Sequence, residues 1–294
     1  MSSLYETHGE LPKLDRPILV VTLTGWIDAS GAAAAAMAAV EEECNSVPLA
    51  TFDSDVFIDY RARRPVMELR DGVNTRLVWS DIQLKLGEDL AGHSVLTLTG
   101  PEPDSQWKTF ARAVTELALR LDVYQMVALG AYPFATPHTR ASRLSSSSPS
   151  AEVIASVPYL KNSVDVPAGM SALLEHSLTE AGIASLGIWV QVPHYVSAMS
   201  YPGASVQLLD GLREVTGVSV AGLGLTREAE VQRARIDQLV SGNDEHTEMV
   251  HQLEQAYDAI AQQADEAPPL QASDIPTVDE LAAEFERFLR DQDE

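Results

Sequence analysis

Unbroken apolar runs and helical periodicities alternate along the first three quarters of the chain. Ile18–Thr24 (ILVVTLT), Ser94–Thr99, Gln125–Gly130 (QMVALG) and Leu186–Val192 are continuous apolar or β-branched runs, the pattern of strands covered on both faces. Leu49–Phe52 is a shorter strand that breaks at Asp53-Ser54-Asp55. Val66–Arg70 and Thr75–Trp79 alternate around Asp71-Gly72, which has the turn chemistry of a hairpin. Between these lie helical stretches. They are alanine-rich Ala32–Glu43, Ser105–Leu121 with Asp104 placed to cap it, Gly169–Gly182 with Leu173, Leu174 and Leu178 on one side, and Gly203–Thr216. Pro133–Pro149, with Ser145–Ser148 at its centre, reads as a polar loop. Strands alternating with helices predict an α/β fold, a three-layer α/β/α arrangement with a mostly parallel sheet.

Beyond Thr226 the pattern changes. Ile236, Leu239 and Val240 fit one amphipathic helix. Val250, Leu253, Tyr257, Ile260 and Ala264 fit a second, with the 3-4-3-4 spacing of a packing seam offered to a partner or sister subunit. Gly242-Asn243 separates the two helices, and Pro268-Pro269 stops the second. The reading gives a core domain over 15–226, a C-terminal helical appendage over 227–267, and an acidic tail over 268–294 with a short helix at Asp279–Leu289.

Charge sharpens this division. The 294 residues hold 43 acids and 20 bases, net −23, and the segment from Arg227 onward alone holds 18 acids and 5 bases. Such a field repels phosphate backbones and anionic lipid, so nucleic-acid and membrane-surface partners are not expected. The longest apolar run, Ala32–Val40, is too short to span ~30 Å of hydrocarbon, and Met1–Leu14 is too polar for a signal peptide. The expected compartment is the cytoplasm. The one cysteine, Cys44, follows Glu41, Glu42 and Glu43, which raise a thiol pKa rather than activate it; a buried helix-end residue is expected.

Motifs exclude more than they assign. The chain has no phosphate-binding GxxxxGK[ST] loop, no GxGxxG, GxSxG or HExxH pattern, no CxxC and no calcium loop. Gly222-Leu223-Gly224 is a turn, and His246 and His251 would point about 140° apart on a helix. Neither a metal nor a cofactor is implied. Candidate chemistry therefore rests on strand ends, because ligands of open α/β sheets bind outside the carboxyl ends of the strands. Those ends carry Trp26, Asp28 and Ser30, then Glu102, then His138 and Arg140, then His194, all on one rim if the strands are parallel. Gly25–Gly31 either offers a helix N-terminus to an anion or is a tight turn in which Asp28 or Ser30 caps the helix. Arg140 and the nearby hydroxyls can hold a phosphate or a partner carboxylate, unless the loop is merely flexible. His194-Tyr195 is either an acid/base pair or an ordinary strand end.

The Gly25-Trp26-Ile27-Asp28-Ala29-Ser30-Gly31 loop resembles the G-[FW]-x-D-A-[GS] opening of the proteasome assembly chaperone (PAC2-type) family. Gly100-Pro101-Glu102-Pro103 followed by Trp107, Val127–Gly130, Pro137-His138-Thr139-Arg140, Tyr159 and Val192-Pro193-His194-Tyr195 match in order, over roughly residues 15–265. The acidic helical tail is similar to that of actinobacterial members. The resemblance implies a nucleoside phosphorylase/hydrolase-like scaffold and a non-catalytic protein-binding or assembly role with a proteasome-related partner. It also implies self-association, a trimer being favoured. The alternative is an enzyme or small-ligand binder that acts on a phosphorylated or ribosyl compound at the rim. In that case Ser30 and Arg140 would hold the anion, and His138 or His194 would handle a proton. Relatives that dock on the proteasome often end in a hydrophobic–tyrosine–any tripeptide. This chain ends Leu289-Arg290-Asp291-Gln292-Asp293-Glu294, so docking is expected to use another surface.

Overall fold

Strand β2 (Ile18–Thr24) shows why the apolar runs are unbroken: Ile18 and Val20 face one core and Leu19 and Val21 the other, all buried. The structure, a computed structural model, describes residues 4–266. In chain order the remaining strands are β1 (Tyr5–Thr7), β3 (Val47–Phe52), β4 (Val66–Arg70), β5 (Val73–Val78), β6 (Gln83–Glu88), β7 (Ser94–Pro101), β8 (Gln125–Phe134), β9 (Leu144–Ser147) and β10 (Ala184–Pro193). The helices are α1 (Ala32–Glu43), α2 (Ser54–Phe57), α3 (Trp107–Arg120), α4 (Ala151–Ala155), α5 (Met170–Glu180), α6 (Pro202–Thr216), α7 (Leu223–Ser241) and α8 (Asp244–Glu266).

Eight strands form one sheet in the order β1-β3-β6-β7-β2-β8-β10-β9. Its centre, β7-β2-β8-β10, is parallel, whereas β1, β3 and β6 on one side and β9 on the other pair antiparallel. Helices α1, α6 and α7 pack on one face and α3 and α5 on the other, the expected three layers. Alanines at 32, 33 and 36 are almost wholly buried and bring α1 close to the sheet and to α6. Phe52, Phe57 and Phe110 pack edge to face or tilted in the opposite layer, with centroids 4.8–6.4 Å apart.

Three local expectations need correction. The serine-rich stretch is not simply a polar loop: Leu144 opens β9, and Ser145, Ser146 and Ser147 continue it as an edge strand against β10. Most of its hydroxyls find partners there: Ser145 donates to the Trp189 carbonyl, Ser147 to Glu175 and Ser148 to the Ser185 carbonyl. Asp104 does not cap α3, whose N-cap is Gln106 at φ 60°. Its carboxylate instead accepts from the Asp59 amide and from Arg63. The seam of α8 is only partly offered outward: Val250 is buried and Leu253 and Tyr257 are partly covered, whereas Ile260 is exposed. Strand β6 escapes notice because its alternation, Leu84-Lys85-Leu86, spans only a few residues. Pro268-Pro269 and the helix expected at Asp279–Leu289 lie outside the described residues.

The acids that close α1 against its dipole are matched by partners distant in sequence. Glu41 pairs with Lys85 at 2.7 Å and accepts from Thr97 and Thr99. Glu43 accepts from the amides of Ala221 and Gly222, where α7 begins. Cys44, at the end of α1, is buried, and its thiol is pushed up to about 11, first by burial and then by Asp89 and Glu43. On the α5 face, Glu175 is 4% exposed and has Ser147 Oγ at 3.3 Å from both carboxylate oxygens. Burial raises it to about 7, against the lowering effect of Ser147. Beside it, Trp189 lies so close over Gly130 that a β-carbon there would meet the indole at 2.3 Å.

Candidate functional site at the carboxyl-end rim

Because β2, β7, β8 and β10 are parallel, their carboxyl ends bring Trp26, Glu102, Phe134 and His194 to one edge of the sheet. Gly25, at φ 124°, turns the chain out of β2, and a β-carbon there would sit 2.8 Å from Arg63 Nη2 and 3.1 Å from Glu102 Cγ. Only glycine fits that position. Asp28 bridges to Ala131 of β8, and its two carboxylate oxygens accept from the Ala33 and Ala34 amides at 2.9 and 3.0 Å. The first turn of α1 is therefore capped by a carboxylate of its own loop. Ser30 has φ 61°, donates its amide to the Ser197 carbonyl at 2.8 Å, and so ties this loop to the segment after β10.

Glu102 reaches across to α5 and accepts from the Met170 amide at 3.1 Å. Gly169, just before Met170, lies against the indole of Trp26; a β-carbon there would be 3.0 Å from Cδ1. Arg63 pairs with Asp104 at 3.1 Å beside them. One group of the rim thus gathers Trp26, Glu102, Arg63 and the start of α5.

A second group forms around Tyr195, in the short turn His194–Val196 that follows β10. His138 is buried, with its Nδ1 2.6 Å from the Tyr195 hydroxyl and its Nε2 3.0 Å from Asp237 Oδ1 on α7. The His138 amide also donates to that hydroxyl at 2.8 Å. All three bonds are satisfied when the hydroxyl donates to Nδ1 and Nε2–H donates to Asp237. His194 touches the same tyrosine ring edge-on, with centroids 5.4 Å apart. Burial pushes Tyr195 up to about 12, with Tyr201, Glu254 and Asp237 adding to the effect.

The loop after β8 continues this contact with the appendage. Arg140 lays its guanidinium on Asp258 of α8 through Nε at 3.0 Å and Nη2 at 2.8 Å, and bonds Glu254 through Nη1 at 3.1 Å. The two-bond fork on one carboxylate is the geometry that guanidinium favours. It holds Asp258 below the usual carboxylate range and raises Arg140 further. Thr139 donates to Glu254, Arg233 reaches the Thr139 carbonyl, Arg143 stacks 3.9 Å over Tyr257, and the Tyr257 hydroxyl donates to the Ala141 carbonyl. The anion that Arg140 grips is a carboxylate of the same chain.

Asp237, Glu254, Asp258 and Tyr257 were not singled out as site residues from the sequence. The available signal was a pair of carboxylates four residues apart, Glu254 and Asp258, hence on one side of α8. Around these polar clusters the rim exposes apolar surface: Trp26, Ile27 and Phe134 are between 41% and 45% exposed. Among the described residues no three His, Cys, Asp or Glu side chains converge as a metal ion requires. A groove of about 390 Å³ lined by Tyr5, Ala113 and Arg120 lies elsewhere, between β1 and α3.

The fold recurs in solved structures, although no protein of curated function matches the chain. A protein of unknown function from Corynebacterium glutamicum is 30% identical over 88% of this chain and 98% of its own, with a TM-score of 0.82. One of unknown function from Mycobacterium tuberculosis is 32% identical over 89% and 91%, with a TM-score of 0.81. A proteasome-assembly chaperone homologue from the same organism is 29% identical over 79% and 99%, with a TM-score of 0.73. The profile of the PAC2 family matches residues 22–240, a span that opens inside β2 and closes near the end of α7. That span contains all seven rim residues, and this chain belongs to the PAC2 family.

Proposed function

We propose that the protein is a non-catalytic binding module of the assembly-chaperone type, acting in the cytoplasm on a proteasome-related protein partner. Its contact surface on this reading is the rim that carries Trp26, Asp28, Ser30, Glu102, His138, Arg140 and His194. One observation carries the reading. Most polar groups of the rim are committed to bonds within the chain, while the apolar side chains between them are left open. Asp28 caps α1, Glu102 holds the start of α5, His138 lies between Tyr195 and Asp237, and Arg140 grips Asp258. Trp26, Ile27 and Phe134 stay exposed, the composition of a protein-contact patch rather than of a pocket for a phosphorylated compound. The 29% identical proteasome-assembly chaperone homologue supports the same class. Self-association, with a trimer as the favoured state, belongs to this reading.

The test mixes purified full-length protein with proteasome α subunits and follows the complex by size-exclusion chromatography with light scattering. A co-eluting complex, lost when Trp26→Asp and Ile27→Asp are combined, is the expected result. No complex at tens of micromolar, or one that the double variant leaves intact, overturns it. A thermal shift with ribose phosphates that Arg140→Ala abolishes would replace it with a small-ligand function. The same light scattering on the protein alone tests self-association, which a mass near 31.8 kDa would refute.

A further inference from the structure

The hairpin β4–β5 is a two-stranded sheet of its own, and no helix or strand of the body packs extensively on it. Asp71 at φ 51° and Gly72 at φ 81° close it as a two-residue turn, both residues left-handed, which matches the twist of the paired strands. In such a turn the flanking pair, Arg70 and Val73, exchanges both backbone bonds. Alternation along β4 then aims the N–H and C=O of Leu69 and Met67 away from β5. Among the described residues no strand pairs with that edge. The Leu69 carbonyl accepts from the Arg70 side chain at 3.0 Å and keeps a second lone pair. The outer edge of β5 is less regular, because Thr75 is an extra residue between the pairs Glu68–Arg76 and Leu69–Asn74, a bulge that twists the strand. A ribbon of two strands is at best marginally stable in water, and further strands remedy this. The regular edge of β4 is where one can be added.

The residues of β4 say which strand fits. Leu69 lies between Glu68 and Arg70, which share the face opposite to Met67 and Leu69. Within one ribbon Glu68 meets Arg76 at 3.6 Å and Arg70 at 3.9 Å, and the Arg70 side chain is left 68% exposed. When a second copy of β4 pairs antiparallel about a two-fold axis through Leu69, Glu68 of each copy stands opposite Arg70 of the other. One short sequence thus matches its own charges twice. The two Leu69 residues then form a pair that exchanges backbone bonds, as their outward N–H and C=O require. An axis through Met67 would set Glu68 against Val66 and leave the charges unmatched. On the apolar face Met67, Leu69 and Leu77 are 43–49% exposed, and pairing continues their row into the same row of the second copy. Residues 66–78 hold two acids and two bases in a chain of net charge −23, so two ribbons meet without net repulsion. An edge about 17 Å long is small beside the ~800 Å² per partner of a stable complex, so the contact is weak and depends on concentration.

We infer that the β4 edges of two copies of this chain pair antiparallel about Leu69, giving a four-stranded sheet β5-β4-β4-β5 across a two-fold axis. This contact uses none of the rim residues. The test is light scattering on the full-length protein from about 1 to about 300 µM. Leu69→Pro removes an outward N–H and none of the backbone bonds to β5. At the highest concentration the mass of the parent should approach twice that of this variant, a ratio that holds whether or not other surfaces add further copies. Glu68→Arg and Arg70→Glu each set like charges across the axis and should weaken association at least tenfold. An equimolar mixture of those two variants sets opposite charges there twice and should restore it. Equal masses for the parent and Leu69→Pro overturn the inference. So does a mixture that associates no better than either variant alone, since damage to the hairpin itself would survive mixing.

Discussion

Glu175 holds a carboxyl among apolar neighbours with one hydroxyl for a partner, and its raised pKa of about 7 makes it a source of pH-dependent stability. The unfolded carboxyl titrates near 4.5 and the folded one near 7, so the folded chain binds the extra proton between those values. Stability should fall as pH rises from 4.5 to 7 and then level off. The full difference is about 3 kcal/mol at ~1.36 kcal/mol per pKa unit. Glu175→Gln keeps the shape and removes the charge. Urea denaturation should find the variant about 1–3 kcal/mol more stable than the parent at about pH 8 and nearly equal at about pH 5. A second residue-scale prediction concerns Gly25, whose φ of 124° is a backbone conformation that a residue with a β-carbon rarely adopts. Gly25→Ala should cost about 1–3 kcal/mol, read from the same denaturation curves.

At the scale of elements, α8 is held on the core mainly by the loop after β8, through Arg140, Thr139, Arg143 and Ala141. Arg140→Ala removes the fork on Asp258 and the bond to Glu254 together. Amide exchange should then quicken along α8 while β2 and β8 stay unchanged; uniform acceleration would mean that the core itself depends on this residue. Acid should loosen the same contact. Asp258 is held below its ordinary value of 3.8, so the attraction is complete above that value and disappears as pH falls through the lower, folded one. Glu43 makes a comparable link at the start of α7, where its carboxylate takes two amides. An acid at the end of α1 that opposes the helix dipole thus helps to hold the appendage in place.

For the whole molecule the dominant quantity is a net charge of −23. Self-repulsion of this size is screened as the Debye length shrinks from ~30 Å at ~0.01 M salt to ~8 Å at ~0.15 M. The melting temperature should rise over that range, and any self-association should strengthen. Calorimetry and light scattering across a salt series check both, and an opposite trend would mean that specific ion pairs outweigh the net field.

The order of strands and helices was legible because burial on both faces leaves an unbroken apolar run and burial on one side leaves a helical period. The bounds read for Ile18–Thr24 and Ala32–Glu43 coincide with β2 and α1. The rim was legible in outline because parallel strands put their carboxyl ends together whatever the loops do. Tertiary structure decided what those residues touch. Four serine hydroxyls read as loop chemistry, yet Ser145–Ser147 pair with β10, since backbone hydrogen bonding at a sheet edge is indifferent to side-chain polarity. The sequence marked Arg140 as an anion binder; only the packing of α8 shows the anion to be Asp258, 118 residues away. Local pattern records how each segment meets its core, whereas the pairing of charges across long loops depends on geometry that no single segment contains.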